Sequence, residues 1–296
     1  MADLPAILCA ITFQGNASNG LQQDTFFFID TCYQEKLGIT PVAICDQEFC
    51  VAVSDGVAES PLSQYASKAV VKAVAEEWQA YLAEPNSQHP SMNIERIYEK
   101  VATSPRKYRG ASATLALLYR PINSPNQVVI KHIGDSRVYH FCHLEQTWRC
   151  LTRDHNVLNE LLDEKAQVEG KPVDFGDYNA EGMARSLYAL TDCLIVDSDL
   201  DNNPMPTYAS QTLTVQAGDA LVVCSDGVHD LVPSNEWQGI DKDTDLQDWL
   251  KQLRKQIYAS DGRAYDNATA IVVQFDGQEM FVKKCKNGDV VGRLKT

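Results

Sequence analysis

The sequence predicts an α+β fold in which antiparallel β-sheets are covered by helices. Short apolar segments occur in pairs joined by short polar turns, such as residues 110–119 and 127–133 around the turn 121–126. The amphipathic segments typical of helices do not alternate with single strands, which disfavours a doubly wound parallel sheet. The 296 residues allow one large domain or two small ones, and the apolar content of 44% is ample for a buried core.

The strand segments are short apolar runs bounded by loop-forming residues. Two apolar runs within residues 41–54, on either side of Cys45-Asp-Gln-Glu48, predict a hairpin that ends at Asp55. The other predicted strands are residues 6–14, 24–33, 110–119, 127–133, 136–142, 211–216, 220–225 and 269–275.

Capping residues and apolar stripes indicate the helices. Ser60-Pro61 predicts a helix N-terminus, because Ser is a good cap and Pro suits the first helical position. This helix continues to about Leu82, and its apolar face is interpreted as ordinary core. The stretch Asp154-His155-Asn156 is interpreted as the cap of a helix at 156–169. Further helices are predicted at residues 92–103 and after the capping-box pattern Thr244-Asp-Leu-Gln247.

Composition excludes several classes of function. The formal net charge of −14 argues against a general nucleic-acid or anionic-membrane binder, since phosphate contact needs a basic face. Nine cysteines occur without a CxxC pair, which favours reduced thiols in a cytoplasmic protein over a zinc or redox motif. The apolar N-terminal stretch 4–13 has no preceding Lys or Arg and is interpreted as a strand, and no segment approaches transmembrane length.

Several predicted strands end at or begin beside an aspartate. Asp55 and Asp226 each follow an apolar run and precede a glycine, and Asp135 and Asp266 stand beside two further strands. Carboxylates that converge at one sheet edge repel each other unless a cation lies among them. A set of carboxylates without His or thiolate suits Mg²⁺ or Mn²⁺ rather than Zn²⁺, and such a set can hold two ions.

One Asp-Gly dipeptide by itself is more often a turn than a site. Competing catalytic motifs are nevertheless absent from the sequence: there is no GxxxxGK[ST] loop and no HExxH, and Gly110-Ala-Ser-Ala-Thr114 lacks the last glycine of a GxSxG elbow. The order of the acidic motifs is more specific than any one of them. The series is Gln23-Asp24, Val53-Ser-Asp55-Gly56-Val57, Gly110-Ala-Ser-Ala-Thr114, Ile133-Gly-Asp135-Ser-Arg137-Val-Tyr139, Leu151-Thr-Arg-Asp-His155, Cys224-Ser-Asp226-Gly227-Val-His-Asp230 and Asp266-Asn267-Ala-Thr269.

This series resembles the protein phosphatase 2C family of metal-dependent serine/threonine phosphatases, in its bacterial form, over about residues 6–276. The resemblance implies a four-layer sandwich of two antiparallel β-sheets flanked by helices. It also implies that Asp55 bridges two metals, that the other catalytic carboxylates are Asp226, Asp266 and Asp24, and that Asn267 orients Asp266. The implied metal ligands are Asp55, Gly56 through its carbonyl, Asp226, Asp266, Asp135, Asp24 and Asp230, with Asp135, Asp226 and Asp230 forming a third, weaker site.

Two departures from the family pattern concern the substrate phosphate. The family's phosphate-binding arginine is replaced by Asn19, and no Arg or Lys occurs from residue 1 to 35. Arg185 and Arg109 are candidates to replace it. Val57 cannot act as a general acid, and Glu59 either adds negative charge near the metals or is a solvated loop acid.

We therefore expect a cytoplasmic serine/threonine protein phosphatase in which a metal-activated water hydrolyses phosphoserine or phosphothreonine at a binuclear Mn²⁺ or Mg²⁺ centre. Its expected partners are a phosphorylated protein and, by family analogy, an opposing Ser/Thr kinase. Residues 1–276 are expected to form the catalytic domain, with a flap at 170–208, and residues 277–296 a C-terminal extension. The alternative is a weak or inactive relative that binds a phosphorylated partner as a regulator.

Overall fold

Two antiparallel β-sheets lie face to face in the computed structural model, with helices on both outer faces. The structure describes residues 4–15, 20–34, 38–84, 91–170, 185–196, 205–259 and 266–276. The predicted α+β sandwich is confirmed. Asn19, most of the predicted flap and the 277–296 extension lie outside the described residues.

The elements of the described residues have the following bounds. The strands are β1 (Ala6–Phe13), β2 (Thr25–Phe28), β3 (Thr31–Tyr33), β4 (Gly38–Ile39), β5 (Ala43–Cys45), β6 (Cys50–Ser54), β7 (Ser112–Ala113), β8 (Leu115–Tyr119), β9 (Gln127–Ile133), β10 (Arg137–Cys142), β11 (Thr147–Cys150), β12 (Leu194–Ile195), β13 (Ala209–Thr214), β14 (Ala220–Cys224) and β15 (Ala268–Phe275). The helices are α1 (Ser63–Ala83), α2 (Ile94–Ala102), α3 (Val157–Glu169), α4 (Asp226–His229) and α5 (Leu246–Ala259).

Each sheet is formed by antiparallel neighbours. The first sheet has the order β11-β10-β14-β15-β1-β4, and β5 also pairs with β1. The second sheet has the order β13-β9-β8-β6-β2-β3, while β7 and β12 form a separate pair. The short turn between β9 and β10 carries the chain from the second sheet to the first. No helix in the described part of the chain is long and apolar enough to cross a membrane.

The hydrophobic residues divide into three layers of core. Strand β1 shows why, because successive side chains of a strand point to opposite faces. Leu8 and Ala10 belong to the core between the sheets, whereas Cys9 and Ile11 belong to the core that α5 covers. On the far side, α1 and α2 cover the second sheet, and the apolar face predicted for α1 is buried there. The buried residues of this apolar face include Ala66, Val70, Val74 and Trp78.

Two strand predictions are wrong in detail. Residues 24–33 form two strands rather than one, because Ile29 adopts a left-handed conformation with φ 63° and turns the chain between β2 and β3. Residues 41–54 do not form a hairpin. Strand β5 pairs with β1 in the first sheet and β6 pairs with β2 and β8 in the second, so this segment crosses from one sheet to the other.

Two helix starts also differ from the prediction. Helix α1 begins at Ser63 after Leu62, and the Ser60 hydroxyl instead donates to the Val57 carbonyl. Helix α5 has no Thr-to-Gln capping box, because the Asp245 carboxylate accepts from the Asp248 N–H at its start. The predicted cap of α3 is confirmed at Asn156, whose side chain accepts from the Asn159 N–H.

A buried arginine joins the two sheets at one end of the inner core. The side chain of Arg120 is 1% exposed and lies 5.1 Å from the ring centroid of Phe49 and 5.6 Å from that of Phe275. Its guanidinium donates to the carbonyls of Gln47 at 3.0 Å and Leu4 at 2.7 Å. Hydrogen bonds from a charged donor to buried carbonyls stabilise the fold, whereas loss of the donor leaves a buried acceptor without a partner.

We expect Arg120→Met to lower the free energy of unfolding by about 2 kcal/mol, because the Leu4 carbonyl loses its donor while most of the apolar volume remains. Urea denaturation measures the change as a lower midpoint at unchanged slope. The matched control is Arg149→Met, which removes an exposed ion pair with Glu145 and should change stability by less than about 1 kcal/mol. Equal losses in the two variants would contradict a stabilising role for Arg120.

Candidate metal centre

The predicted aspartates meet at one edge of the sandwich. In the second sheet Asp55 follows β6 and Asp24 precedes β2, and these two strands are antiparallel neighbours. In the first sheet Asp226 follows β14 and Asp266 precedes β15, which are also antiparallel neighbours. The end of one strand and the start of its antiparallel partner share an edge, so four carboxylates from distant positions come together. Asp135 joins them in the turn between β9 and β10.

A hydrogen bond between the sheets fixes Asp24. The Ser225 hydroxyl donates to Oδ2 of Asp24 at 2.8 Å and accepts from the Thr269 N–H at 3.0 Å. Asp24 is only 1% exposed, and its other oxygen, Oδ1, is buried without a hydrogen-bond partner. The carboxylate is therefore oriented by one oxygen and presents the other toward the acidic cluster.

Backbone hydrogen bonds with one threonine hold the Asp55 corner. Thr114 accepts from the Asp55 N–H at 3.2 Å through its hydroxyl, and its own N–H donates to the Asp55 carbonyl at 2.9 Å. The Thr114 hydroxyl also contacts the Ser136 hydroxyl at 2.7 Å. At Gly56 a Cβ would lie 2.7 Å from the Ser63 carbonyl oxygen, so glycine allows the start of α1 to approach this corner.

Helix α4, which sequence reasoning did not predict, places Asp226 and Asp230. Its glycine is required, because a Cβ on Gly227 would lie 2.0 Å from the backbone oxygen of Asn267. The buried ring of His229 follows, with Nε2 3.1 Å from the Asp135 carbonyl oxygen and Nδ1 3.2 Å from Oδ1 of Asp230. This imidazole therefore connects α4 to the β9–β10 turn.

Asp266 is exposed, unlike the other carboxylates, and its Oδ1 accepts from the Asn267 N–H at 2.7 Å. The Asn267 side chain forms its hydrogen bonds with a different segment. It accepts from the Gln23 N–H at 2.6 Å and donates to the carbonyls of Gln14 and Leu21 at 2.9 and 3.0 Å. These bonds position the segment that leads into Asp24, so Asn267 supports Asp24 indirectly, through the backbone of Gln23.

The carboxylates at this edge raise each other's pKa. Burial raises the pKa of Asp24 to about 7, although hydrogen bonds with Thr269 and Ser225 lower it in part. Burial and the charge of Asp230 raise the pKa of Asp226 to about 6. The pKa values of Asp55 and Asp135 lie well above the usual range, first because of burial and then because of the neighbouring negative charges.

The donor chemistry of this edge fits a hard divalent cation. Two buried carboxylate oxygens, Oδ1 of Asp24 and Oδ1 of Asp226, have no hydrogen-bond partner. All of the predicted ligand atoms are oxygens, which hard divalent cations prefer. Within the ranges that the structure describes, however, no three Asp, Glu, His or Cys side chains form a group arranged to hold a metal ion. The charges and unpartnered atoms thus suit a cation, while the carboxylates do not form an assembled ligand shell.

Several residues without a role in the sequence analysis support the aspartates through hydrogen bonds. Arg137 is buried and its guanidinium donates to both oxygens of Asp154, at 2.8 and 2.7 Å. Arg137 lowers the pKa of Asp154 against the effect of burial. Ser225, Thr114 and His229 have similar supporting contacts. Each stands in one of the acidic motifs, which is the signal that could have identified it.

Four positions are considered from the sequence for their effect on binding of the substrate phosphate. Asn19 lies outside the described residues, and so does the side chain of Arg185. Arg109 is exposed at the end of a short 3-10 turn, Arg106–Tyr108. Glu59 is also exposed, in the loop that follows the Asp55 corner.

Comparison with known sequences identifies the family. The sequence model of the family described as protein phosphatase 2C matches residues 42–264, which is most of the chain. The chain belongs to the protein phosphatase 2C family. This membership confirms the resemblance carried by the acidic motifs and places the chain among the protein phosphatases, which are hydrolases.

Three individual proteins illustrate the similarity. A serine/threonine phosphatase, stp, of Listeria welshimeri is 25% identical over 244 residues, which are 77% of this chain and 85% of that protein. The structure of the serine/threonine phosphatase Stp1 of Staphylococcus aureus has a TM-score of 0.64 at 18% identity and covers 90% of this chain and 95% of its own. The catalytic domain of the phosphatase PstP, in complex with two manganese ions, has a TM-score of 0.53 at 16% identity. The match covers 92% of this chain and 99% of that domain.

We expect Asp24→Asn to stabilise the metal-free protein at neutral pH, because it removes a carboxylate whose pKa is raised to about 7 on folding. The unfolded carboxyl ionises near pH 4, so the folded state binds the extra proton between about pH 4 and pH 7. The gain in the free energy of unfolding of the variant over the wild type should grow over this range to on the order of 4 kcal/mol and stay constant above it.

Urea denaturation in EDTA at several pH values measures this difference. Asp30→Asn, which removes an exposed carboxylate just beyond β2, is the control and should show no such growth. Parallel stability curves for wild type and Asp24→Asn would show that burial does not penalise the Asp24 charge.

Proposed function

We propose that the chain is a serine/threonine protein phosphatase that hydrolyses phosphoserine and phosphothreonine with Mn²⁺ or Mg²⁺. The observation that carries the proposal is the convergence of mutually repelling carboxylates, two with unpartnered buried oxygens, at one edge of a protein phosphatase 2C fold. Relatives named as serine/threonine phosphatases support the substrate class. The manganese-containing PstP structure supports the choice of metal.

We assign the metal ligands from the positions of the acids. Asp55 would contribute to two ions, with the Gly56 carbonyl on one of them and Asp226 and Asp266 on the other. Asp24 would hold water at the centre or bind directly, and Asp135 and Asp230 would contribute to a third, weaker site. Ions bound there would supply positive charge for the phosphate and would lower the pKa of a water molecule, making it available as a nucleophile.

The remaining residues of the edge orient these carboxylates. Thr114 holds the backbone of Asp55 on both sides, and Ser225 fixes one oxygen of Asp24. His229 keeps α4 against the β9–β10 turn. Val57 has no proton to donate to the leaving oxygen of the substrate, so this chain's own side chain at that position takes no part in proton transfer.

The finer expectations extend the same proposal. Residues 1–276 would form the catalytic domain, with a flap at 170–208 beside the site, and residues 277–296 an extension. The protein would act in the cytoplasm on a phosphorylated protein and oppose a Ser/Thr kinase. Family analogy supports the kinase partner, and composition supports the compartment.

The alternative function is phosphoprotein binding without turnover. Two observations favour it: the described carboxylates do not form an assembled ligand group, and no Arg or Lys occurs from residue 1 to 35 to bind the phosphate. Retention of so many repelling acids favours the enzyme instead, since an unused buried carboxylate only destabilises the fold. Calorimetry with a phosphopeptide separates the two, because binding without release of phosphate would indicate the regulator.

We expect Mn²⁺- or Mg²⁺-dependent release of phosphate from p-nitrophenyl phosphate, lowered by more than about a hundredfold in Asp226→Asn because one ligand of the centre is lost. The control Asp243→Asn changes an exposed carboxylate outside the site and should keep wild-type turnover. Absence of turnover by the wild type at every Mn²⁺ and Mg²⁺ concentration would refute the enzymatic proposal.

Thr114→Val should weaken Mn²⁺ binding about 10- to 100-fold, because the Asp55 N–H and the Ser136 hydroxyl lose their shared partner and the Asp55 corner is no longer held. Thr114→Ser keeps the hydroxyl and should bind Mn²⁺ nearly as the wild type does. Isothermal calorimetry measures the affinities without relying on turnover. If Val and Ser variants bind equally, the hydroxyl does not position Asp55.

A further inference from the structure

A group of basic residues lies beside the acidic edge of this strongly acidic protein. Arg106, Lys107 and Arg109 place three cations within four positions, in a chain whose net charge is −14. All three are exposed. We call residues 106–109, together with the ring of Tyr65, the basic turn. A phosphorylated substrate is itself an anion, so positive charge near the site affects how it approaches.

The basic turn is connected to the Asp55 corner by a short series of backbone contacts. After Arg109 the chain enters β7, where the Ser112 carbonyl accepts from the Val57 N–H at 3.0 Å. The Ser112 N–H donates to the Ser60 hydroxyl at 3.0 Å, and Thr114 then contacts Asp55. Thr114 follows Arg109 by five positions, and the Cα atoms of two residues so spaced are at most about 18 Å apart.

Aromatic contacts make the basic turn a preformed surface. The rings of Tyr65 and Tyr108 stack with centroids 4.1 Å apart and an interplanar angle of 14°. Nζ of Lys107 lies 4.7 Å from the Tyr108 ring centroid. The Ala111 N–H donates to the Tyr108 carbonyl at 3.0 Å and closes the turn. The aromatic pair connects the turn to α1, although Tyr65 itself remains 39% exposed.

We propose that the basic turn is a docking surface for acidic residues that flank the phosphorylated residue of the substrate. The inference rests on the proposed phosphatase function and adds a sequence preference to it. Cations of the turn attract carboxylates of the peptide, while the exposed ring of Tyr65 contacts its apolar atoms. Charge complementarity selects an acidic peptide, because a basic peptide would be repelled here and a neutral one would gain only the aromatic contact.

The geometry limits which substrate residues can reach the turn. An extended peptide advances about 3.4 Å per residue, so the separation of at most about 18 Å between Arg109 and Thr114 corresponds to roughly five peptide residues. Acidic residues within this distance are expected to increase turnover, and acidic residues farther away are not. Glu59, exposed in the loop that follows the Asp55 corner, would repel the same peptides.

The test compares phosphothreonine peptides that differ only in an Asp-Glu pair, placed near the phosphothreonine, far from it or replaced by Asn-Gln. Each peptide's kcat/KM is divided by the kcat/KM for p-nitrophenyl phosphate. In the wild type this ratio should be higher for the peptide with the near pair than for the other two peptides. In Arg106→Gln/Lys107→Gln that ratio should fall about three- to tenfold, the effect of two partly screened charge contacts. Glu59→Gln should raise the ratio, and Lys255→Gln, which removes an exposed cation on α5, should leave it unchanged.

A binding measurement separates this inference from the phosphatase proposal. A fluorescent, unphosphorylated acidic peptide is titrated with metal-free protein in EDTA and followed by anisotropy. Salt-sensitive binding that is lost in Arg106→Gln/Lys107→Gln supports the docking surface. If the wild type binds in this way but hydrolyses nothing, only the phosphatase proposal fails. Active wild type without a preference for the near pair, and without this binding, overturns the docking surface alone.

Discussion

Mutual repulsion among carboxylates at one sandwich edge is the constraint on which the rest of this structure depends. Asp24 and Asp226 reach the edge from different sheets, and burial raises the pKa of both. Placing these charges together costs free energy, so neutral donors must hold them. The Ser225 hydroxyl donates to the Asp24 carboxylate in this way, while Thr114 holds the backbone of Asp55 on both sides. A bound cation would relieve the same repulsion.

The fold provides the stability that such an edge requires. Both faces of β1 are buried, with Leu8 toward the inner core and Cys9 toward the core under α5, so the central strands are fixed on two sides. Arg120 joins the sheets through the Leu4 carbonyl. Rigid strands hold their ends at fixed positions, which a loop could not do for several repelling charges. The glycine at 227 then allows α4 to approach the backbone of Asn267.

The charge of the chain and its proposed substrate are connected by the same physical argument. An acidic protein repels phosphorylated peptides at long range, and cations at the site would need to come from the bound metal or from nearby side chains. The basic turn lies beside β7, which contacts the Asp55 corner through Val57. Metal binding and substrate docking would thus be separate functions of adjacent surfaces, one built from carboxylates and the other from Arg and Lys.

The sequence by itself determined the fold class, the family and the acids that converge, because apolar runs of strand length and Asp-Gly corners are local patterns. Only the tertiary structure decided how the strands are distributed. The runs on either side of Cys45 look like a hairpin locally, yet β5 and β6 belong to different sheets, since pairing depends on distant partners. The support of Asp24 by Ser225, 201 positions away, could not be predicted for the same reason. Hydrogen bonds between distant segments leave no periodic signal in the sequence.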